Sequence, residues 1–168
     1  MTVNVRAGAI VAIVMLACMA GGRAAELSPP VPAISIRGIV AHPQDVTLAD
    51  LQKMPPVTVS VAFTTDKGTL KGKFTGALLS TVIAGAQPED EPGKNAYLRH
   101  VYVIRARDGY AVALSQGEID PRYGNETAIL AYAQDGKPLG ADDAVRLIVA
   151  SDKHGGRAVR GVTAIDVR

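Results

Sequence analysis

Apolar and polar residues alternate through most of this chain, and that alternation predicts a domain built mainly of strands. Ala33 to Val40 reads as an opening strand. Thr47-Leu48-Ala49-Asp50-Leu51 puts a capping residue before a short amphipathic turn that Pro55-Pro56 stops, which predicts a brief helix. Val57, Val59, Val61 and Phe63 alternate with Thr58, Ser60, Ala62 and Thr64, as in a strand with one buried face. Asp66-Lys67-Gly68 then predicts a hairpin turn into a return strand, Thr69 to Thr75, with Leu70, Gly72 and Phe74 on one side and Lys71 and Lys73 on the other. Gly76 to Gly85 reads as a short helix closed by glycine, and the polar stretch Gln87 to Asn95 as an exposed loop.

In the second half, Arg99 to Arg107 carries apolar residues on both faces and is expected in the middle of a sheet. Asp108-Gly109 turns it into Tyr110 to Leu114, and Ala128 to Ala133 forms a further strand ending at Asp135-Gly136. Val145 to Ala150 and Val162 to Val167 are the last two strands, joined by a glycine-rich basic segment, Lys153 to Arg160. The pattern is that of a strand-rich α+β domain with small helices.

Composition narrows the function classes. The chain has 168 residues, 48% apolar, with one Cys and no Trp, which excludes a disulfide scaffold and a disordered chain. Lys and Arg number 18 against 16 Asp and Glu, a formal charge of +2, and no basic block forms the stripe that nucleic acid requires. No nucleic-acid partner is expected.

The N-terminus predicts export. Arg6 precedes an unbroken apolar run, Ala9 to Ala20, and Gly22-Arg23-Ala24 offers the small residues a signal peptidase reads. The run is shorter than the roughly 20 residues of a spanning helix. Residues 1–24 are therefore expected to be a signal peptide, residues 25–32 an extended linker containing Pro29-Pro30-Val31-Pro32, and residues 33–168 the folded domain, placed in the periplasm. The only thiol, Cys18, sits in Met15-Leu16-Ala17-Cys18, which resembles a lipobox and would make the protein a lipoprotein.

Several segments admit both a structural and a chemical role. Lys153, His154, Arg157 and Arg160 surround Gly155-Gly156, which is either a solvated hairpin or a ligand grip with exposed backbone donors and forked guanidinium groups. Asp108-Gly109-Tyr110 is either a plain turn, with Asp108 capping it, or the site of a flat ring partner; Tyr123 offers the same face and hydroxyl. Arg146 lies inside an apolar strand, so it either faces a ligand groove or pairs with Asp142, Asp143 or Asp166. His42, His100 and His154 lack metal-ligand spacing, and no hydrolase elbow, P-loop or dinucleotide fingerprint is present.

The order of motifs carries a resemblance. Phe74-Thr75-Gly76-Ala77-Leu78-Leu79, then Asp108-Gly109-Tyr110, then Ala128-Ile129-Leu130-Ala131 with Asp135-Gly136-Lys137-Pro138-Leu139, then Val145-Arg146-Leu147, and last Gly156-Arg157-Ala158-Val159-Arg160 before Ile165, resembles the molybdopterin-binding domain of the sulfite oxidase family. The resemblance covers nearly all of residues 33–168. It implies a mixed β-sheet α+β fold with short helices that holds a pterin in a groove lined by loops. It also implies that Gly156, Arg157, Val159 and Arg160 grip the cofactor; Thr64, Thr65, Asp108, Gly109, Tyr110, Arg146 and His154 are expected as further pterin contacts on their own chemistry.

One departure from the family shapes the functional expectation. In catalytic members a cysteine thiolate at the end of the strand before the Phe-Thr-Gly segment ligates molybdenum, and soft sulfur suits that role. The matching stretch here, Val59 to Thr65, has no cysteine and ends in Thr64 and Thr65, whose hydroxyls donate hydrogen bonds but replace thiolate poorly. The resemblance then implies an exported, non-catalytic pterin-binding module with no protein-ligated metal. Its ligand would be a reduced pterin or molybdopterin, and its partner a membrane signalling protein such as the periplasmic sensor domain of a cyclic-di-GMP enzyme. The alternative is a molybdopterin-dependent oxidoreductase. Replacing Arg157 by Ala is expected to weaken pterin binding and leave fold stability nearly intact.

Overall fold

The computed structural model describes residues 1–2, 33–124 and 127–168. The expected signal peptide, apart from its first two residues, the lipidation candidate Cys18 and the linker of residues 25–32 lie outside the described residues. The chain divides into two units, Met1–Pro30 and Val31–Arg168, and all the elements described belong to the second.

That unit opens with β1 (Ala33–Gly38), β2 (Gln44–Thr47) and α1 (Leu48–Lys53). Thr47 caps α1 as its sequence predicts: its hydroxyl accepts from the Asp50 amide, and the Asp50 carboxylate accepts from the Thr47 amide. The long hairpin β3 (Pro56–Thr65) and β4 (Gly68–Leu78) follows, then α2 (Leu79–Ala86). After the largely exposed loop at 87–95 come β5 (Val101–Ala106), β6 (Ala111–Ser115), α3 (Gln116–Ile119), β7 (Ala128–Gln134), β8 (Lys137–Pro138), β9 (Arg146–Val149) and β10 (Val162–Val167).

The strands form two sheets. One has the order β2-β1-β10-β5-β6, with β1 and β10 parallel; the other runs β3-β4-β7-β8, with β9 also paired to β7. In β7 and β9 every second residue enters one of two hydrophobic clusters. Ala128, Leu130, Leu147 and Val149 join the main core with Ile34, Ile36, Leu51, Ile104 and Ile165. Ile129, Ala131 and Ile148 join Val61, Phe63 and Phe74 in a smaller core on the opposite face. Burial on both faces explains why β7 and β9 read as continuous apolar runs.

Three expectations are corrected. The helix expected from Gly76 begins only at Leu79, because Gly76, Ala77 and Leu78 continue β4 and pair with β7. A Cβ on Gly76 would lie 2.2 Å from the Leu130 carbonyl oxygen, so glycine there lets two backbones approach and does not start a helix. The strand expected over Arg99 to Arg107 spans only Val101–Ala106 and alternates between buried and half-buried residues, since one face meets the core and the other carries Arg105 to Asp166. It does lie inside its sheet, between β10 and β6. The link Lys153 to Arg160 is no simple hairpin: Gly155–Arg157 forms a 3-10 turn, and the segment bridges Thr64 on one side and Arg146 on the other.

Candidate functional site

The end of β3 meets the link between β9 and β10. The Thr64 amide donates to the Lys153 carbonyl at 2.9 Å, and Thr64 pairs with His154 as an isolated parallel bridge. Gly155 makes this approach close, since a Cβ there would sit 3.0 Å from Cγ2 of Thr65. Thr64, Thr65, Asp66, His154, Gly155 and Gly156 line an open hollow of about 520 Å³. A second hollow of about 420 Å³ runs over the hairpin turn from Thr65 and Asp66 to Arg160, and a third of about 420 Å³ lies between Arg160, Arg107, Asp108 and Asp142. Thr65 and Asp66 border the first two and Arg160 the last two, so the three run on as one groove.

Tyr110 reaches this groove from β6's leading turn. Its hydroxyl donates to the Gly156 carbonyl at 2.5 Å, and its amide donates to Asp108 Oδ1 at 2.9 Å. Asp108 therefore caps its own turn, with Gly109 at a φ of 88° completing it. The structure thus brings together Thr64, Thr65, Asp108, Gly109, Tyr110, His154, Gly156 and Arg160 from segments far apart in sequence.

The remaining three expected contacts point elsewhere. Val159 is fully buried in the main core, and its carbonyl accepts from the Leu147 amide. Arg146 is 5% exposed and pairs with Asp143, while its guanidinium carbon lies 5.5 Å from the Phe74 ring centre. Of the acids weighed as its partners, Asp142 meets Arg107 and Asp166 meets Arg105 instead. One buried Arg146 nitrogen, Nη1, has no hydrogen-bond partner among the described residues.

Arg157 overturns the expectation that its side chain is dispensable to the fold. Its Nη2 and Nε donate to Asp152 at 2.5 and 3.1 Å, and its Nη1 donates to Glu118 at 2.8 Å. The residue ties the turn at Gly155–Arg157 to both the end of β9 and α3. Burial would raise the Glu118 carboxyl, but bonds from the Ser115 amide and hydroxyl, together with Arg157, outweigh it and hold the group below its ordinary value.

Glu118 was missed as a site-supporting residue, although Ser115-x-x-Glu118 is a capping-box pattern readable in sequence. Its connection to Arg157 has no local signal. The same is true of the cluster beyond α3, where Arg122 pairs with buried Asp120 and lies 4.8 Å from the Tyr97 ring centre. Tyr123, expected to offer a face to a ring ligand, shares a 2.6 Å hydroxyl bond with Tyr97 and lines none of the groove.

The groove suits a pterin better than a protein-bound metal. Each of its three hollows falls in the range of ligand clefts, about 300–1,000 Å³, and together their lining offers hydroxyls, an imidazole, a guanidinium and the open backbone of Gly156, where a Cβ would meet nothing within 4 Å. Such groups bond the amide-like edge of a pterin ring or an anionic tail. The donor set at the end of β3 is two hydroxyls and no sulfur, so the soft thiolate expected of a catalytic member is missing there.

Comparison with solved structures gives the sulfane dehydrogenase SoxCD of Paracoccus pantotrophus, with a TM-score of 0.65 and 17% identity over 80% of this chain. The match establishes the fold. This chain spans 37% of that one. No curated protein sequence matches. The family model for the oxidoreductase molybdopterin binding domain matches residues 28–168, and the chain belongs to that family.

Proposed function

We propose that this chain is an exported pterin-binding module in which the groove holds a reduced pterin or molybdopterin without a protein thiolate on a metal. The observation that carries the reading is the end of β3, where Thr64 and Thr65 stand beside Gly155 and Gly156 and supply hydroxyl and backbone groups where the catalytic relatives supply sulfur. Hydroxyls stay protonated near neutrality and bond a ring nitrogen or carbonyl. Exposed Arg160 adds a positive charge at the far end of the same groove.

The periplasmic location and a membrane signalling partner are the finer part of this proposal. They are supported by the N-terminal pattern of Arg6, the apolar run to Ala20 and Ala24, and by the departure from the catalytic pattern. Native mass spectrometry of the protein isolated from its own cells tests the whole reading. A mass increment of one pterin, on a chain beginning after residue 24, is the expected result. Near-stoichiometric molybdenum would instead make the protein an oxidoreductase, and a bare chain whose melting temperature tetrahydropterins leave unmoved would end the pterin reading.

A further inference from the structure

Asp66, Asp108 and Asp142 are the carboxylates in the lining of the groove, and two of them are engaged inside the protein. Asp108 accepts from the Tyr110 amide at 2.9 Å, and Asp142 pairs with Arg107 at 3.5 Å. Asp66 borders both the first and the second hollow. It is exposed and makes no side-chain hydrogen bond or ion pair among the described residues.

The hairpin turn does not account for this side chain. An aspartate at a turn commonly accepts from an amide two residues on. Here the Thr65 hydroxyl takes that role, accepting from the Lys67 amide at 3.3 Å and donating to the Gly68 carbonyl at 2.7 Å. Gly68, at a φ of 107°, completes the turn. A neighbour therefore closes the turn, and the acceptors of Asp66 are left unused by the fold.

A second unpaired charge borders the same hollow. Arg160 lines it together with Asp66, and its guanidinium has no partner among the described residues. One hollow of about 420 Å³ thus carries an anion and a cation that neither neutralise each other nor bind elsewhere. Such a lining suits a ring with hydrogen-bond donors on one edge and an acceptor or anionic group on another.

Resting on the pterin reading above, we propose that Asp66 is the residue that recognises the ring. Its two carboxylate oxygens accept the 2-amino group and the N3–H of a 2-amino-4-oxo pterin. Those donors lie side by side on one edge, as a bidentate carboxylate requires, and a carboxylate only accepts. A lumazine, the 2-oxo analogue, has a carbonyl oxygen where the pterin has its amino group, which sets a lone pair against one oxygen of Asp66. The tail of a pterin leaves from C6 on the other ring, away from this edge, so Arg160 is left to an anionic tail.

The test is anaerobic titration calorimetry of the chain as isolated from cells, dialysed free of bound ligand, with 6-methyltetrahydropterin and with 6-methyltetrahydrolumazine. The wild type should bind the pterin about tenfold or more tighter than the lumazine, because the site pairs with a donor that the analogue lacks. Asp66→Asn keeps the size of the side chain and offers one donor and one acceptor, which matches the 2-oxo edge. It should keep the wild-type melting temperature, since Thr65 closes the turn, while pterin binding weakens and lumazine binding strengthens until the preference is lost or reversed. A wild type that binds both compounds equally, or a variant that keeps the wild-type ratio, would overturn the proposal and leave the pterin reading standing. A wild type that binds neither compound would end both.

Discussion

The Arg157 guanidinium bonds Glu118 at 2.8 Å across 39 positions of sequence, and the same group holds Asp152. One side chain thus fixes where the Gly155–Arg157 turn stands relative to α3 and β9. The turn borders the groove, so the groove's shape depends on an ion pair that stands outside its lining.

Replacing Arg157 by Ala should therefore lower fold stability by about 1.5–3 kcal/mol, the usual scale for hydrogen bonds to charged groups. Asp152, whose side chain is 14% exposed, would be left without this partner. Denaturant unfolding of the variant checks this. An unchanged midpoint would show that the two carboxylates find water as good a partner.

Two glycines should respond in opposite ways to alanine. At Gly76 the new Cβ would stand 2.2 Å from the Leu130 carbonyl oxygen and 2.5 Å from the Ala131 Cα, both rigid backbone, so the cost should reach about 3 kcal/mol, the upper part of the overpacking range. At Gly156 nothing lies within 4 Å, so stability should hold while the methyl group intrudes on the groove. Melting curves and pterin titrations of both variants separate the effects: Gly76→Ala fails in the first, Gly156→Ala in the second.

Tyr110→Phe removes the 2.5 Å bond to the Gly156 carbonyl and little else. Tyr110 is half-exposed, so the loss of stability should be small, about 0.5–1 kcal/mol. If that bond positions the turn for a ligand, pterin affinity should fall several-fold. Isothermal titration at fixed temperature reads the change directly.

Acid should release the Glu118 link. Its carboxyl binds a proton more weakly in the fold than in the unfolded chain, whose ordinary value is 4.5. The stabilisation is then complete above that value and is lost as pH falls through the lower native one. Melting temperatures of wild type and Glu118→Gln, taken from pH 7 to pH 3, should converge toward the acid end. A constant gap between them would place the acid-sensitive group elsewhere.

Much of the fold was legible because period-two alternation survives wherever a strand has one wet face. β3 and β10 lie within about a residue of where their alternation put them, and β7, buried on both faces, is found instead from its continuous apolar run. Boundaries failed where a pattern had two meanings. Gly76 looked like a helix start because its small size is ambiguous until β7 is seen 2.2 Å away. Among the candidate site residues, the structure places Thr64, Thr65, Tyr110, His154, Gly156 and Arg160 along one groove, but neither the residue pattern nor the resemblance gave a reason to place Arg157 against Glu118 or Val159 in the core.

By itself the sequence determined most of the strands, the turns at Asp66-Lys67-Gly68, Asp108-Gly109 and Asp135-Gly136, and that the end of β3 carries hydroxyls in place of a thiol. These are properties of neighbouring residues, set by local sterics and by which side chains leave water. Only the tertiary structure decided which charges are spent inside the protein and which face the groove. A guanidinium reads the same in sequence whether a carboxylate waits beside it or not, and that carboxylate arrives only when distant segments pack together.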